Sequence, residues 1–421
     1  MKAKHFFLIC GIIAGLFVLT GCGKPATGPA PVRISLFTWT KPEELRVNQQ
    51  LVAEFMRLHP NIQVELINEP SRRAMDKLQA MIAARNAPDV MSIHGAYFIP
   101  FADKGALLDL NPYVSRADFD LADFYPQLVE LCRWQGKLYS LPRYTSVYVL
   151  FYNRDLFDAA GLKYPDDSWT WDTYLQATRK LTRPGADAGS QQFGCLIQFW
   201  GARLYPWLWA NGGDLLSADR KHCTINSPEC RQALQFLVDL RYKYQVTPAT
   251  SAANPDQDLA MFTAGKIGMM MTGAWDIQMM HSTPGLHWDV APLPKKKSRA
   301  SLLGMENYAV SSTTRHPEEA WQLFSFLLSK PAQTVMAEKL EKQPSRQSVA
   351  NASYVTATTS YNRRVFVEAL AYAHIAPNVP NWERIKPLID QPLDRLWLGQ
   401  TTVPQATDDI VREVDKLLAK Q

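Results

Sequence analysis

Three short apolar runs decide the fold of this chain: VRISLF at 32–37, IQVELI at 62–67 and VMSI at 90–93. Their length and their apolar character are typical of strands. A helical pattern from about Pro42 separates the first two runs, and a second one through Met75 to Ala84 separates the next two. Strands that alternate with helices in this order predict a parallel sheet with helices on its faces.

Polar and aromatic residues follow two of these runs. Trp39 comes after the first run and His94 directly after the third. Ligands of open α/β sheets bind beyond the carboxyl ends of the strands. We therefore expect Trp39 and His94 at a binding edge.

The composition is that of a globular protein outside the nucleic-acid-binding classes. With 421 residues the chain suits two or three domains. Apolar residues make up 47% and charged residues 20%, which excludes disorder or a fibrous structure as the main state. The net charge of +5 is too small to indicate nucleic acid as the main partner. The 12 tryptophans and 16 tyrosines suit both cores and ligand sites.

The first residues read as a targeting segment, which we expect to span residues 1–21. Lys2 and Lys4 precede an apolar run that is short for a membrane-spanning helix. Leu19-Thr20-Gly21-Cys22 resembles the lipobox of bacterial lipoproteins. By that resemblance Cys22 is the mature N-terminus and carries the lipid, including palmitate. An uncleaved anchor helix is the alternative interpretation.

Residues 22–31 then read as a lipidated, flexible Gly/Pro/Ala-rich tether. The rest of the chain is predicted to be extracytoplasmic, in the periplasm or on the outer face of the plasma membrane of a bacterium. Disulfides are permitted there. The four cysteines beyond the tether allow three pairings, with Cys223 and Cys230 close enough in sequence to staple a loop. Four free, buried thiols are the equal alternative, and no metal spacing is present.

Two extended segments predict crossings between lobes. The first is LPRYTSVYVLFY at 141–152, and the second is HWDVAPL at 287–293. They divide the chain into an N-terminal lobe, 32–141 plus 292–342, and a C-terminal lobe, 142–291 plus 343–421.

Several motifs along the chain resemble one protein family. They are APDV at 87–90, LP at 141–142, FYNRDLF at 151–157, LAMFTAGK at 259–266, GAW at 273–275, WDVAPLP at 288–294, EAWQLF at 319–324 and PSR at 344–346. In order and spacing they resemble extracellular solute-binding protein family 1, the maltose-binding-protein-like sugar receptors of ABC importers. One departure is Gly304-Met305, where the family often has two glycines, and a methionine there would crowd a ligand.

The resemblance implies an α/β, periplasmic-binding-protein-like fold: two lobes joined by a hinge, with a ligand cleft between them. It implies a monomeric substrate-binding lipoprotein that captures a sugar or oligosaccharide and delivers it to the importer's permease subunits. It implies no catalysis, no cofactor and no metal. The membrane is reached only through the N-terminal lipid, and no nucleic acid is bound.

A sugar presents C–H faces that aromatic rings cover and hydroxyls that polar side chains bind. Loops after strands and on the crossings supply such groups. The predicted ligand-binding residues are Trp39, His94, Gly95, Tyr97, Tyr144, Ser146, Trp200, Trp207, Trp209, Gly273, Trp275, Asp276, Gly304, Glu306, Arg346 and Trp382.

Some of these residues have structural alternatives. Trp207 and Trp209 lie two apart and cannot share one helical stripe, so one of them can be core. His94 can be a structural histidine. Arg346 can form a salt bridge between the lobes rather than bind ligand.

Two other functions remain open at this level. A receptor of the same fold could bind a polyol or a glycerol phosphoester, with Arg346 and His94 on the phosphate. A secreted carbohydrate-active enzyme would need two carboxylates about 5–10 Å apart. Glu69, Asp89 and Glu306 are candidates for such a pair.

Overall fold

The computed structural model describes residues 30–70, 73–116, 119–185, 191–199, 201–249, 255–377, 379 and 382–419. The predicted targeting segment, the lipidation residue Cys22 and the predicted ligand residue Trp200 lie outside the described residues.

The strands are β1 (Val32–Thr38), β2 (Ile62–Asn68), β3 (Val90–His94), β4 (Arg133–Trp134), β5 (Lys137–Leu138), β6 (Ser140–Val147), β7 (Val149–Asn153), β8 (Phe193–Leu196), β9 (Ile267–Thr272), β10 (Trp288–Ala291), β11 (Ser301–Val310) and β12 (Ala373–His374). The helices are α1 (Pro42–Leu58), α2 (Ala74–Ala83), α3 (Gly95–Asp103), α4 (Asn111–Val114), α5 (Pro126–Glu130), α6 (Arg154–Ala159), α7 (Trp171–Leu181), α8 (Tyr205–Ala210), α9 (Pro228–Tyr242), α10 (Pro255–Thr263), α11 (Ile277–His281), α12 (Pro317–Leu327), α13 (Lys330–Leu340), α14 (Gln347–Val349), α15 (Arg364–Ala369), α16 (Trp382–Trp397) and α17 (Val403–Leu418).

Lobe one is built on the predicted parallel sheet. β1 lies between β2 and β3 and is parallel to both, with Val32 opposite Ile62. β11 pairs antiparallel with β3. The helices α1 and α12 pack on this sheet, and Phe55 and Phe324 are completely buried in the core. The β-α-β-α-β order predicted from the three apolar runs is confirmed.

Lobe two has a sheet of its own, in the order β10-β7-β9-β8. Its larger core brings helices from distant parts of the chain together, since α17 packs against α9 and α16. Trp171, Leu234 and Ile410 are all buried there. Thr170 caps α7, because its side chain accepts a bond from the backbone N–H of Thr173.

β6 and β11 form an antiparallel ribbon that passes from one lobe to the other. Ser140 lies opposite Ala309 within the lobe-one sheet, and Val147 lies opposite Leu303 at the other end. β6 leads directly into β7 of the second sheet, which confirms the first predicted crossing.

The second crossing lies in β11, later in the chain than predicted. The predicted segment 287–293 contains β10, which pairs antiparallel with β7 in lobe two. Lys295 is also held in lobe two, because its backbone bonds to Trp169 and Trp171. The lobe boundary predicted at residue 292 is therefore wrong, and residues 292–300 belong to lobe two.

A third crossing follows α13, at residues 341–346. Gln343 accepts a backbone bond from Thr145 on the first crossing. The Ser345 hydroxyl donates to the carbonyl of Pro142. All three connections between the lobes are therefore hydrogen-bonded side by side.

Cys132, Cys195, Cys223 and Cys230 are free and buried, so of the two alternatives the structure has the free thiols. Burial raises the pKa of the Cys223 thiol to about 12 and that of Cys230 to about 11. Among the described residues no His, Cys, Asp and Glu side chains cluster as a metal site would require. In the same part of the chain, no helix has the length and apolar character needed to cross a membrane.

Candidate ligand cleft

The floor of the candidate site is the point where the β6–β11 ribbon leaves lobe one. Ser146 lies opposite Gly304 in this ribbon. The Ser146 hydroxyl accepts a bond of 3.3 Å from the backbone N–H of Ala274, in the turn after β9. A Cβ on Gly304 would meet only the carbonyl oxygen of Ser146, at 3.5 Å. The floor is thus open above Gly304 and is tied to lobe two at Ser146.

Trp39 and His94 form the lobe-one wall, at the carboxyl ends of β1 and β3. Their rings meet edge to face with centroids 6.0 Å apart. His94 lies opposite Glu306 in the β3–β11 pair. Since Glu306 is two residues from Gly304 on β11, the lobe-one wall is adjacent to the floor. His94 exposes its surface to the cleft, yet protein surrounds it on the other sides. This loss of hydration lowers the pKa of His94 and outweighs the opposing pull of the Glu306 carboxylate.

α3 begins directly behind this wall. A Cβ on Gly95 would lie 3.2 Å from the backbone oxygen of Met305, so glycine lets the helix approach the ribbon closely. Tyr97, two residues later, packs on Phe101 with centroids 6.0 Å apart and is half-buried against the lobe-one core. Met305 is partly buried against the core of lobe two rather than standing free over the floor.

Trp275 and Tyr148 form the lobe-two wall. Trp275 lies in the turn after β9 and meets Tyr148 edge to face, with centroids 5.0 Å apart. The indole lies directly over Gly273. A Cβ at that position would be only 2.2 Å from the ring, so a residue with a side chain would clash there. Both aromatic rings are only half-buried, so they retain surface for a ligand.

Arg203 and Asp276 supply charge on the same wall. The Arg203 guanidinium lies 5.4 Å from the centroid of the Tyr148 ring and donates to Gln198. Asp276 accepts a bond of 2.5 Å from the hydroxyl of Thr272. Burial raises the pKa of Asp276, although Thr272, Arg203 and Lys41 oppose that rise. Since Lys41 precedes α1 in lobe one, the two walls interact electrostatically across the cleft.

A buried charge network lies beneath the floor. Arg143 on β6 is 3% exposed and bonds to Glu306 at 2.6 Å and to Glu44 of α1 at 2.8 Å. Glu306 also accepts bonds from the hydroxyls of Ser92 and Tyr144. The carboxylate oxygens of Glu306 are thus occupied inside the protein. Its predicted contact with ligand is replaced by a role in holding Tyr144 and Arg143 in place.

The structure brings seven of the predicted residues to this cleft. Those at the floor or on a wall are Trp39, His94, Ser146, Gly273, Trp275, Asp276 and Gly304. Gly95 lies directly behind the lobe-one wall, and Tyr144 is bonded to Glu306 beneath the floor. Tyr97 supports the lobe-one wall from behind.

Three predicted tryptophans are packed away from the cleft. Trp207 is 5% exposed and its ring is surrounded by Trp171, Tyr174 and Phe236, so it is a core residue. Trp382 is likewise buried in the lobe-two core. Trp209 stacks on His374 with centroids 5.0 Å apart and donates its indole N–H to Asp214. These three tryptophans contribute to packing, because helices that are far apart in the sequence surround them in the lobe-two core.

Arg346 does not line the cleft either. Its guanidinium donates to the backbone oxygens of Leu328 and Asp120 and to the Asp123 carboxylate at 3.2 Å. It also lies 4.3 Å from the centroid of the Phe124 ring. The structure therefore supports the alternative in which Arg346 forms a structural salt bridge, and its partner is Asp123.

Sequence reasoning missed Tyr148, Arg203 and Arg143. A signal existed for Tyr148, because Tyr144, Ser146 and Tyr148 alternate along one extended segment and so share a face. Arg143 and Arg203 carried no such signal. Their partners lie on other elements and are far away in sequence.

The three carboxylates that the sequence offers for a glycosidase, Glu69, Asp89 and Glu306, do not converge. Asp89 accepts bonds from the backbone N–H and the hydroxyl of Ser35 at the start of β3. Glu306 lies opposite His94 at the other end of that strand. Five residues of strand separate those ends by roughly 16 Å, beyond the span of a hydrolytic pair. Glu69 is engaged by Lys77 at 3.3 Å.

Known proteins match this chain over most of its length. A family model described as bacterial extracellular solute-binding protein matches residues 42–334. The galactooligosaccharide-binding protein of Bacillus subtilis is 23% identical over 97% of this chain and 95% of its own length. An uncharacterised lipoprotein of Streptomyces antibioticus is 27% identical over 74% of this chain and 70% of its own length.

Solved structures show the same fold. An ABC substrate-binding protein from Listeria monocytogenes, in complex with cycloalternan, has a TM-score of 0.84 and 27% sequence identity. The match covers 92% of this chain and 99% of the other. The expected two-lobed α/β fold is thereby confirmed.

Proposed function

The chain belongs to the bacterial extracellular solute-binding protein family, and on that premise we propose that it is the sugar-binding lipoprotein of an ABC importer. It captures a sugar or oligosaccharide between its lobes and delivers it to the permease. It performs no chemistry on the ligand.

One observation carries this proposal. Trp39 and His94 from lobe one and Trp275 and Tyr148 from lobe two stand around a single floor at Ser146 and Gly304. Aromatic faces on both sides of a polar floor suit a sugar ring, which has apolar faces and a polar rim. Closing the lobes would bring the two aromatic pairs onto opposite faces of such a ring.

The charges favour a neutral ligand. Arg143 and Lys342 are balanced by Glu44 and Glu306 beneath the floor. On the lobe-two wall Arg203 faces Asp276, and Gln198 links it to Asp258. The phosphoester alternative relied on Arg346 and His94. Arg346 pairs with Asp123, and burial lowers the pKa of His94, which disfavours its positively charged form. A neutral carbohydrate therefore fits better than an anion.

The relatives support the same class of ligand and the same location. One relative is named for galactooligosaccharides and one solved neighbour holds cycloalternan. Another relative is named a lipoprotein, in agreement with the lipobox-like tetrad that ends at Cys22.

The test is a binding screen on the full chain purified in detergent. Galactooligosaccharides, arabinooligosaccharides, maltotriose, mannitol and glycerol 3-phosphate are each added, and the melting temperature and the heat of binding are measured. Since a ligand that binds only the folded state stabilises it, we expect a raised melting temperature with at least one neutral sugar. The sugar should be recovered intact.

Two results would contradict the proposal. Stabilisation by glycerol 3-phosphate alone would make the protein a phosphoester receptor. Release of products from an oligosaccharide, above the rate with heat-denatured protein, would make it an enzyme. Metabolic labelling with palmitate, compared between the unaltered chain and Cys22→Ala, tests the lipid anchor separately.

A further inference from the structure

Two consecutive residues of opposite charge, Glu341 and Lys342, begin the third crossing between the lobes. They follow α13, which packs in lobe one through Met336 and Leu340. Neither residue lies in the candidate cleft. Their side chains are 19% and 16% exposed, so both charges are largely withdrawn from solvent.

Glu341 is bound by lobe two. Its carboxylate pairs with Arg363 at 3.0 Å and with His281 at 3.3 Å. It also accepts a bond of 2.5 Å from the hydroxyl of Tyr361. Tyr361 is itself fixed in lobe two, since it stacks on Trp288 of β10 with centroids 4.8 Å apart.

Lys342 is bound by lobe one. Its ammonium pairs with Glu44 of α1 at 3.2 Å. It also lies 4.5 Å from the centroid of the Tyr144 ring. Glu44 in turn pairs with Arg143. Through these contacts Lys342 joins the charge network beneath the floor of the cleft.

The backbone turns between these attachments. Glu341 has a φ of +55°, in the left-handed region that residues other than glycine seldom adopt. This left-handed residue ends α13 at the point where the attachment of the chain changes from one lobe to the other. A largely buried charge that loses its partner is strongly destabilised, so each attachment resists separation.

We propose that Glu341 and Lys342 are positioning residues that hold the pivot of lobe closure. With neighbouring residues bound to opposite lobes, the lobes can rotate about this point but cannot slide or separate there. The bending then falls on the β6–β11 ribbon, where Gly304 lies and where the pairing shifts between Glu306 and Asn307. The proposal rests on the proposed function only in assigning a purpose to the motion.

The experiment measures the distance between the lobes without any ligand. Nitroxide labels are attached through non-natural amino acids at Leu58 in lobe one and Leu398 in lobe two, which are 50% and 57% exposed. Double electron–electron resonance gives the distribution of distances in the full chain. Glu341→Gln and Lys342→Met are compared with Glu338→Gln and Lys339→Met, which make the same changes at exposed positions of α13.

We expect the width of the distribution to increase about two-fold in each pivot variant, because a freed hinge samples more orientations. The two controls should keep the width of the unaltered protein. An unchanged width in the pivot variants, with only a lower melting temperature, would reduce both residues to structural support and overturn the proposal. Equal broadening in the controls would overturn it as well. Since no sugar is added, the failure of every sugar in the binding screen would leave this result standing.

Discussion

Trp207 and Trp275 show how two tryptophans of one lobe serve different purposes. Trp207 lies on α8 between Trp171, Tyr174 and Phe236 and is almost completely buried. Trp275 contacts Tyr148 at one edge and keeps the rest of its ring half-exposed at the cleft. Residue type does not separate the two roles. The surroundings of an indole therefore decide whether it stabilises the fold or is available to a ligand.

Removing the core ring of Trp207 should have the largest effect on stability. Trp207→Ala leaves a cavity among three aromatic side chains and should lower the free energy of unfolding by about 3–5 kcal/mol. Urea unfolding measures this. Trp275→Ala serves as the matched control and should lose much less stability, since its ring is only partly buried. Equal losses would show that the two tryptophans do not differ.

Arg346 extends the comparison to charged residues. Arg346→Met removes a buried guanidinium together with its bonds to the Asp123 carboxylate and to the backbone oxygens of Leu328 and Asp120, and should cost about 3 kcal/mol at pH 7. Sugar affinity should stay unchanged, because Arg346 is remote from the cleft. A loss of affinity as large as the loss of stability would return Arg346 to the ligand site.

The cost of Arg346→Met should also depend on pH. Burial would raise the pKa of Asp123, but the bonds from Ser348 and Arg346 and the charge of Lys330 outweigh it and hold that pKa below its ordinary value. An acid with a lowered pKa stabilises the fold above its unfolded pKa of about 3.9, and this contribution disappears as the pH falls through the folded value. The stability difference between the two proteins should therefore shrink below about pH 4. A difference that stays constant down to pH 2 would contradict the charge pairing.

Trp275→Ala addresses the cleft side of the comparison. If the indole covers a sugar face, its removal should weaken binding of the best sugar in the screen by roughly 30-fold, or about 2 kcal/mol. Isothermal titration calorimetry measures the change. Trp382→Phe, in the lobe-two core, should leave affinity unaltered. An unchanged affinity in Trp275→Ala would remove this residue from the site.

Gly273→Ala should have the smallest effect on binding, and it tests whether the position of the Trp275 ring matters. The new methyl group would overlap the indole ring of Trp275, so the ring must rotate away from its present position. We expect roughly ten-fold weaker binding, about 1.4 kcal/mol, with little loss of stability. Gly304→Ala is the control for ring position, since its methyl group meets only the Ser146 oxygen at ordinary contact distance. Tryptophan emission should shift in the first variant and not in the second.

These cases show which parts of the fold follow from local pattern. The alternation of apolar runs and helical patterns predicted β1, α1, β2, α2 and β3 to within about two residues. The first crossing was predicted because an apolar run led directly from one set of elements to the next. The second was misplaced, since HWDVAPL has the same apolar pattern whether it pairs within lobe two or passes between lobes.

By itself, then, the sequence determined the elements β1, α1, β2, α2 and β3, the parallel sheet that the strands form, and the position of Trp39 and His94 at the carboxyl ends of two strands. These depend on residue spacing, which is local information. Tertiary structure decided that Trp207 and Arg346 are structural, that Tyr148 and Arg203 join the cleft, and that Glu341 and Lys342 bind opposite lobes. Those outcomes depend on burial and on charge pairs between segments far apart in the chain, which no local pattern specifies.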